Sequence, residues 1–285
     1  MNTKRLKFII PAVLLVILVS LICWIIWGNE ALELNTYTIV SAKLSESFDG
    51  YRIVHVSDLH NAEIGNGNEK LINMISSAEP DIIVITGDII DSRNTNVDIA
   101  FDFILKAVDI APCYYVTGNH EARIDEYADL KAKMISAGVY IIDDDCKSIE
   151  IGGDSIALIG VNDPSFQTNY LTGDSASVMS SKLSEIDWDK DTFSVLLSHR
   201  PELFDLYVKN DVDLIFSGHA HGGQFRLPLI GGLVAPNQGI FPEYDSGVYT
   251  EGNTNMVVSR GVGNSIFPFR VNNRPEIILI ELKSQ

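Results

Sequence analysis

The sequence predicts an α/β fold whose mainly parallel strands turn antiparallel partway along, preceded by a single transmembrane helix. Three observations lead there. Between Arg52 and Gly138, strand-sized apolar runs alternate with segments of helical periodicity, the pattern of parallel strands joined by crossover helices. Ser148 to Gly160 instead reads as a hairpin about Gly152-Gly153, which brings antiparallel pairing into the same architecture. Ahead of both, the stretch from Phe8 to Trp27 carries no charged residue.

That stretch is about 20 residues long, enough for a helix to span a hydrocarbon core of roughly 30 Å. A cleavable signal sequence has a shorter apolar region closed by small residues. Here Trp24 and Trp27 occupy that place, and Ile22 and Trp24 flank Cys23 in a way that does not suit lipoprotein processing. The segment therefore reads as an uncleaved anchor. Lys4, Arg5 and Lys7 precede it and no acidic residue does, so the positive-inside bias predicts a single-pass protein of the cell membrane. Its N-terminus would be cytoplasmic and its folded domain extracytoplasmic. Residues 1–28 are then the cytoplasmic N-terminus and anchor, 29–48 a linker with a possible first strand from Tyr37 to Ala42, and 49–285 one domain.

Arg52 to Ser57 is the first firm strand. Asp58 and His60 stand just past its end, two residues apart and so able to face one ion. Asn68 to Ala78 has helical spacing in Leu71, Ile72 and Ile75, and Pro80 ends it. Asp81 to Asp88 is a β-branched apolar run that reads as a buried strand and delivers the Asp88 carboxylate. In such sheets ligands gather at the carboxyl ends of strands. A helix is expected over Val97 to Val108, a strand from Tyr114 toward Asn119 and His120, and a helix from about Ile124 to Ala137 stopped by Gly138.

The run Asp143-Asp144-Asp145 reads as a solvated turn. After the hairpin, residues 163–190 are polar, with a helix near Val178 to Leu183. A strand from Phe193 leads to His199, and Pro201 opens a helix directly after it. Another strand runs from Asp213 to Gly218-His219-Ala220-His221. Gly222 to Thr250 is rich in Gly and Pro and too long for a bare connection, so it is expected to wall a cleft. Strands at Met256 to Ser259 and Glu276 to Leu282 close the chain.

The formal charge is −17, and beyond the anchor 38 acidic residues face 18 basic ones. A domain with this −20 balance and no basic stripe is a poor binder of nucleic acid, so no nucleic-acid partner is expected and a nuclease reading is disfavoured. Of three cysteines, one lies in the anchor, and Cys113 and Cys146 read as core residues.

Five of the six histidines fall in strand-end motifs; His55, within strand register, reads as a hydrogen-bonded core histidine. Asp58, His60, Asp88, Asn119, His199, His219 and His221 form an oxygen and imidazole set without thiolate, which suits Mn²⁺, Fe or Zn²⁺. Seven ligands are too many for one ion. Two divalent ions about 3.5–4 Å apart, sharing one carboxylate, would use them all in an in-line phosphoryl displacement.

Asp58-x-His60, Gly87-Asp88, Gly118-Asn119-His120, His199 and Gly218-His219-x-His221 together resemble, in order and spacing, the five signature blocks of the calcineurin-like metallophosphoesterases. Ser198-His199-Arg200-Pro201, the run Gly218 to Gln224 and Ser259-Arg260-Gly261 are further similar to a membrane-anchored bacterial branch of that family. Ala220 stands where that branch often has Thr, and Glu121 where many relatives have Asp.

The resemblance covers roughly residues 50–285 and implies a four-layer α/β/β/α sandwich of two mixed sheets. It implies that Asp58, His60, Asp88 and His221 hold one metal, and that Asp88, Asn119, His199 and His219 hold the other. It also implies a hydroxide activated by both metals as nucleophile, with His120 as proton donor or charge stabiliser. Arg200 and Gln224 are candidate substrate-binding residues, and Arg260 and Arg270 weaker ones. The substrate would be a phosphomonoester, a phosphodiester or a lipid-linked diphosphate. A non-catalytic, membrane-tethered partner-binding module on the same fold is the alternative, but such a relative would be expected to have lost ligands. The oligomeric state is not legible.

Overall fold

The computed structural model describes residues 3–167, 174–264 and 267–285. It opens with helix α1, Thr3–Glu30, whose span from Ile9 to Glu30 is apolar and long enough to cross a membrane, with none of it buried inside the protein. Only Ala31 and Leu32 separate it from strand β1, Glu33–Ser41, which starts earlier than the sequence signalled and belongs to a sheet.

Then come β2 (Arg52–Val56), α2 (Glu69–Ser77), β3 (Ile82–Thr86), α3 (Val97–Val108), β4 (Cys113–Val116), α4 (Tyr127–Ser136) and β5 (Tyr140–Ile141). Asn96 caps α3 by accepting from the backbone N–H groups of Asp98 and Ile99. The hairpin is β6 (Asp145–Ile151) and β7 (Asp154–Gly160). Its two-residue turn, Gly152-Gly153, has positive φ at both positions, as this class of hairpin requires. Next are α5 (Ser175–Glu185), β8 (Ser194–Leu197), α6 (Phe204–Lys209) and β9 (Leu214–Ser217).

The Gly/Pro-rich stretch is not featureless. It folds into two short ribbons, β10 (Arg226–Leu227) with β11 (Gly231–Gly232) and β12 (Val234–Ala235) with β13 (Gly239–Ile240), and then enters β14, Gly247–Glu251. The chain ends in β15 (Thr254–Val258) and β16 (Glu276–Ser284).

Two six-stranded mixed sheets result, in the orders β1-β16-β2-β3-β4-β5 and β14-β15-β9-β8-β7-β6. In the first, β2 to β5 are parallel and β16 runs antiparallel to β2; in the second, β7, β8, β9 and β15 are parallel with antiparallel edges. Alternation in each strand sends one set of side chains between the sheets. There Ile53, Val84, Leu158, Val195, Leu197, Phe216 and Ile280 form the central core. The opposite face of the first sheet packs under α2, α3 and α4 through Leu71, Ile75, Phe103, Ile104 and Leu130. That of the second packs under α5 and α6 through Met179, Leu183, Phe204 and Tyr207. These are four layers, helix, sheet, sheet, helix.

Asp143 and Asp144 do occupy a turn, but they are anchored rather than merely solvated. Asp143 accepts from Lys131 at 2.8 Å and Asp144 from Lys182 at 2.5 Å, tying α4 and α5 to the joint between the sheets. His55 is a core histidine, its ring 5.1 Å from that of Phe216 across the sheet interface. Phe216→Ala should therefore destabilise the domain by about 3–5 kcal/mol, the usual cost of emptying a buried aromatic site, read as a lowered midpoint in urea unfolding.

Candidate metal centre

The parallel strands of both sheets point their carboxyl ends to one place. The segment after β2 brings Asp58 and His60, that after β3 brings Asp88, and that after β4 brings Asn119 and His120; β8 and β9 deliver His199, His219 and His221 from the other sheet. All eight side chains are buried.

They gather into clusters that meet at Asp88. His60 Nε2 lies 3.1 Å from His221 Nε2 and 3.7 Å from Asp58 Oδ1, and His221 Nε2 is 3.3 Å from Asp58 Oδ1. On the other side His199 Nε2 is 3.1 Å from His219 Nδ1. Asp88 Oδ2 stands between, 3.6 Å from His60 Nε2 and 3.2 Å from His199 Nε2.

The backbone is bent to achieve this. Asp58, His60, Asp88, His219 and His221 all have φ between 46 and 65°. That left-handed region costs a residue with a Cβ roughly 1–2 kcal/mol, and it is populated chiefly at sites that the surrounding structure over-determines. Glycines make room for the carboxylates. A Cβ at Gly118 would overlap the Asp88 carboxylate, and one at Gly218 would overlap both Ser57 and Asp58.

Hydrogen bonds outside the cluster fix each group. His199 Nδ1–H donates to the Thr86 carbonyl at 2.7 Å, which turns Nε2 toward Asp88 and His219. His55 Nε2–H donates to Thr86 Oγ1, Thr86 to Ser57 Oγ, and Ser57 to Asp58 Oδ2, at 2.7, 2.8 and 2.6 Å. The core histidine thus heads a relay that ends on a candidate ligand. Glu121 was not singled out by its chemistry in the sequence, yet its buried carboxylate accepts from the N–H groups of Asp88, Ile89 and Gly118 at 3.0, 2.9 and 2.8 Å. Burial, and then Asp88, push its pKa up to about 7.

Both buried carboxylates are held in their charged form. Burial opposes ionisation of Asp88, but His199 and then His120 hold its carboxyl well below the usual range; His221 and then His60 do the same for Asp58. Burial pulls His199 down, yet Asp88 beside it carries its pKa up to about 10. Asn119 Oδ1 is buried with no donor among the described residues to satisfy it. Two ionised carboxylates, converging imidazole nitrogens and an unpartnered amide oxygen fit divalent ions of the kind that take mixed nitrogen and oxygen ligands.

Not every candidate turns toward the cleft. Arg200 is buried in a forked pair with Asp163 at 2.5 and 2.9 Å, and its Nη1 lies 3.1 Å from His219 Nε2, which is also 3.2 Å from Asn237 Oδ1. Gln224 lines the cleft, and its amide donates to the carbonyls of Phe267 and Phe269. Arg260 pairs with Glu33 and Glu276, and Arg270 donates to the carbonyls of Arg260 and Gly263. The arginine that lines the cleft is Arg123, three residues past His120. Asp91 was also missed; its carboxylate joins His60 and His120. The cleft holds about 150 Å³, and Val234, Ala235 and Pro236 from the β12 ribbon form its wall, as the length of that stretch suggested.

The family profile for calcineurin-like phosphoesterase matches residues 51–223. The chain belongs to the calcineurin-like phosphoesterases. It is 31% identical to the metallophosphoesterase YkuE of Bacillus subtilis over 260 residues, 89% of this chain and 86% of YkuE. It is 25% identical to the phosphodiesterase YaeI of Escherichia coli over 244 residues, 81% of this chain and 82% of YaeI. The solved structure of TT1561 from Thermus thermophilus shares the fold at a TM-score of 0.52 and 15% identity, covering 74% of this chain and 90% of TT1561. As a member of this family the chain is a hydrolase acting on phosphoester bonds.

In this phosphoesterase, Glu121→Gln should weaken the metal centre without removing a ligand, because the amide cannot accept from three N–H groups. Leaving buried donors unpaired costs about 1–3 kcal/mol each. The expected outcome is a lower Tm together with weaker Mn²⁺ binding by calorimetry; an unchanged Mn²⁺ affinity would show that the clamp does not hold Asp88 in place.

Proposed function

We propose that this chain is a membrane-tethered phosphoesterase using two divalent cations, with its catalytic domain on the extracytoplasmic side. Asp58, His60, Asp88 and His221 would hold one cation, and Asp88, Asn119, His199 and His219 the other. The observation that carries the reading is the position of Asp88, within 3.6 Å of His60 Nε2 on one side and 3.2 Å of His199 Nε2 on the other. Bound cations would supply Lewis acidity toward the phosphoryl oxygens and a water acidified to act as nucleophile.

The residues around them have their own tasks. His120 Nδ1 accepts from the Ser92 N–H at 3.0 Å, so a neutral ring carries its proton on Nε2, which has no protein partner among the described residues. That proton is available to the leaving oxygen or to a phosphoryl oxygen. Arg123 in the cleft wall suits a phosphate by its planar fork. Thr86 and Glu121 keep His199 and the Asp88 backbone in place. The extracytoplasmic side rests on the basic residues that precede the span, Lys4, Arg5 and Lys7.

Chelation should abolish turnover of phosphoesters, and Mn²⁺ should restore it. Asp88→Asn should weaken both cation sites together, because a neutral amide bridges poorly and no longer offsets the repulsion between the ions. His60→Ala should damage one. Metal stoichiometry across a Mn²⁺ titration separates these outcomes, and two ions bound normally by Asp88→Asn would refute the shared carboxylate. His120→Ala should keep its metal content and lose about 10²–10⁴-fold in kcat. Loss of an ion from that variant would make His120 a ligand instead.

A further inference from the structure

We propose that the apolar loops around the catalytic cleft form a rim that enters the same bilayer as α1, so that the cleft opens at the headgroup layer and takes its phosphoester from a membrane lipid. The substrate class rests on the phosphoesterase reading above; the docking surface does not.

Six exposed side chains among the described residues form the rim. Leu229 and Ile230 cap the first ribbon, Ile240 pairs with Val234 at the open end of the second with Phe241 next to it, and Phe267 and Phe269 flank them; Leu229 is wholly exposed, Ile240 is 69% exposed and Ile230 63%. Single exposed apolar residues are ordinary, whereas a contiguous group marks a contact surface. The open end of the second ribbon and the two phenylalanines are contiguous. Phe241 N–H donates to Leu233 O and Leu233 N–H to Phe225 O, at 2.9 and 2.8 Å, and the Phe225 ring lies 5.1 and 5.6 Å from those of Phe267 and Phe269. Phe267 also lines the cleft, so rim and catalytic mouth share a residue.

The continuity of the rim with the membrane-crossing helix identifies its cover as lipid. Asn29, one residue short of the end of the span, exchanges two hydrogen bonds with the backbone of Arg270 at 2.7 and 2.9 Å. Arg270 comes directly after Phe269, and the next residue, Val271, accepts from Arg226 N–H at the base of the first ribbon. With only two residues between α1 and β1, at most about 3.6 Å each, the domain cannot stand off from the bilayer. The guanidinium of Arg274 lies 5.0 Å from the Trp27 ring, and tryptophan with arginine at the end of a span suits the headgroup layer. An otherwise acidic domain thus presents exposed apolar residues beside arginines on the side that its anchor holds against lipid.

The test uses the full chain in phosphatidylcholine vesicles doped with phosphatidic acid or a lipid-linked diphosphate, beside the soluble ester bis(p-nitrophenyl) phosphate. The four exposed ribbon residues are replaced together (Leu229→Ser, Ile230→Ser, Ile240→Ser and Phe241→Ser). Turnover of the vesicle lipid should fall by roughly tenfold or more as apolar insertion is lost, while the soluble ester is cleaved at the parental rate. An equal fall on both substrates, or none on the lipid, would overturn the proposal. Soluble turnover by the parent chain without cleavage of either lipid would overturn the substrate class. Independently, Ile240→Trp should add emission that brominated phosphatidylcholine quenches beyond the parent chain. No added quenching would overturn the docking surface, whereas quenching without turnover of any ester would uphold docking and remove the phosphoesterase reading instead.

Discussion

Asp88 and Asp58 are carboxylates buried where two sheets meet, and the arrangement of the rest of the domain follows from keeping them charged there. An ionised carboxylate removed from water is unstable unless hydrogen bonds and opposite charge replace the solvent. The protein supplies part of this itself. Asp58 accepts from Ser57 and from the His219 N–H, Asp88 accepts from the His120 N–H, and imidazoles crowd both. Bound cations would complete the balance. That is why strands from opposite sheets must end at one point, and why glycine is required at 118 and 218 where neighbouring loops press against the carboxylates.

This constraint explains how much could be read from the sequence. A strand announces itself by its apolar run, and the residues just past that run mark its carboxyl end, so the alternation of elements and the candidate ligands at the strand ends, though not Asp91, could be read from the sequence. The hairpin was visible because two consecutive glycines leave few other readings. The left-handed conformations of Asp58, Asp88 and His221 were not, since nothing in residue type distinguishes an aspartate at positive φ from one in a turn. Glu121 and Asp163 were hidden for a different reason. Their importance lies in the partners they meet across the fold, the Asp88 backbone and Arg200, and such pairings at separations of 33 and 37 residues leave no local trace.

Arg200 shows the same limit from the other side. An arginine next to a metal-capable histidine reads equally well as a phosphate clamp or as a structural pair, and only burial decides. With Asp163 at 2.5 Å and His219 at 3.1 Å, its charge is committed to Asp163. Arg123 has no distinguishing neighbour in sequence and yet lines the cleft. The long Gly/Pro-rich stretch was legible as a wall but not as two ribbons, because two-residue strands carry no periodicity.

The first and last strands tie the anchor to the chemistry. β1 leaves α1 and pairs along nine residues with β16, which in turn pairs with β2, the strand that ends at Asp58 and His60. Arg260 reinforces the joint by bridging Glu33 of β1 and Glu276 of β16 at 2.6 and 2.7 Å. Two strand pairings therefore separate the helix from a candidate ligand strand, with no flexible tether between them. A helix on a long linker would fix only the distance of the domain from a bilayer. Continued almost directly into the first sheet, it would also fix which face of the domain is turned toward a bilayer.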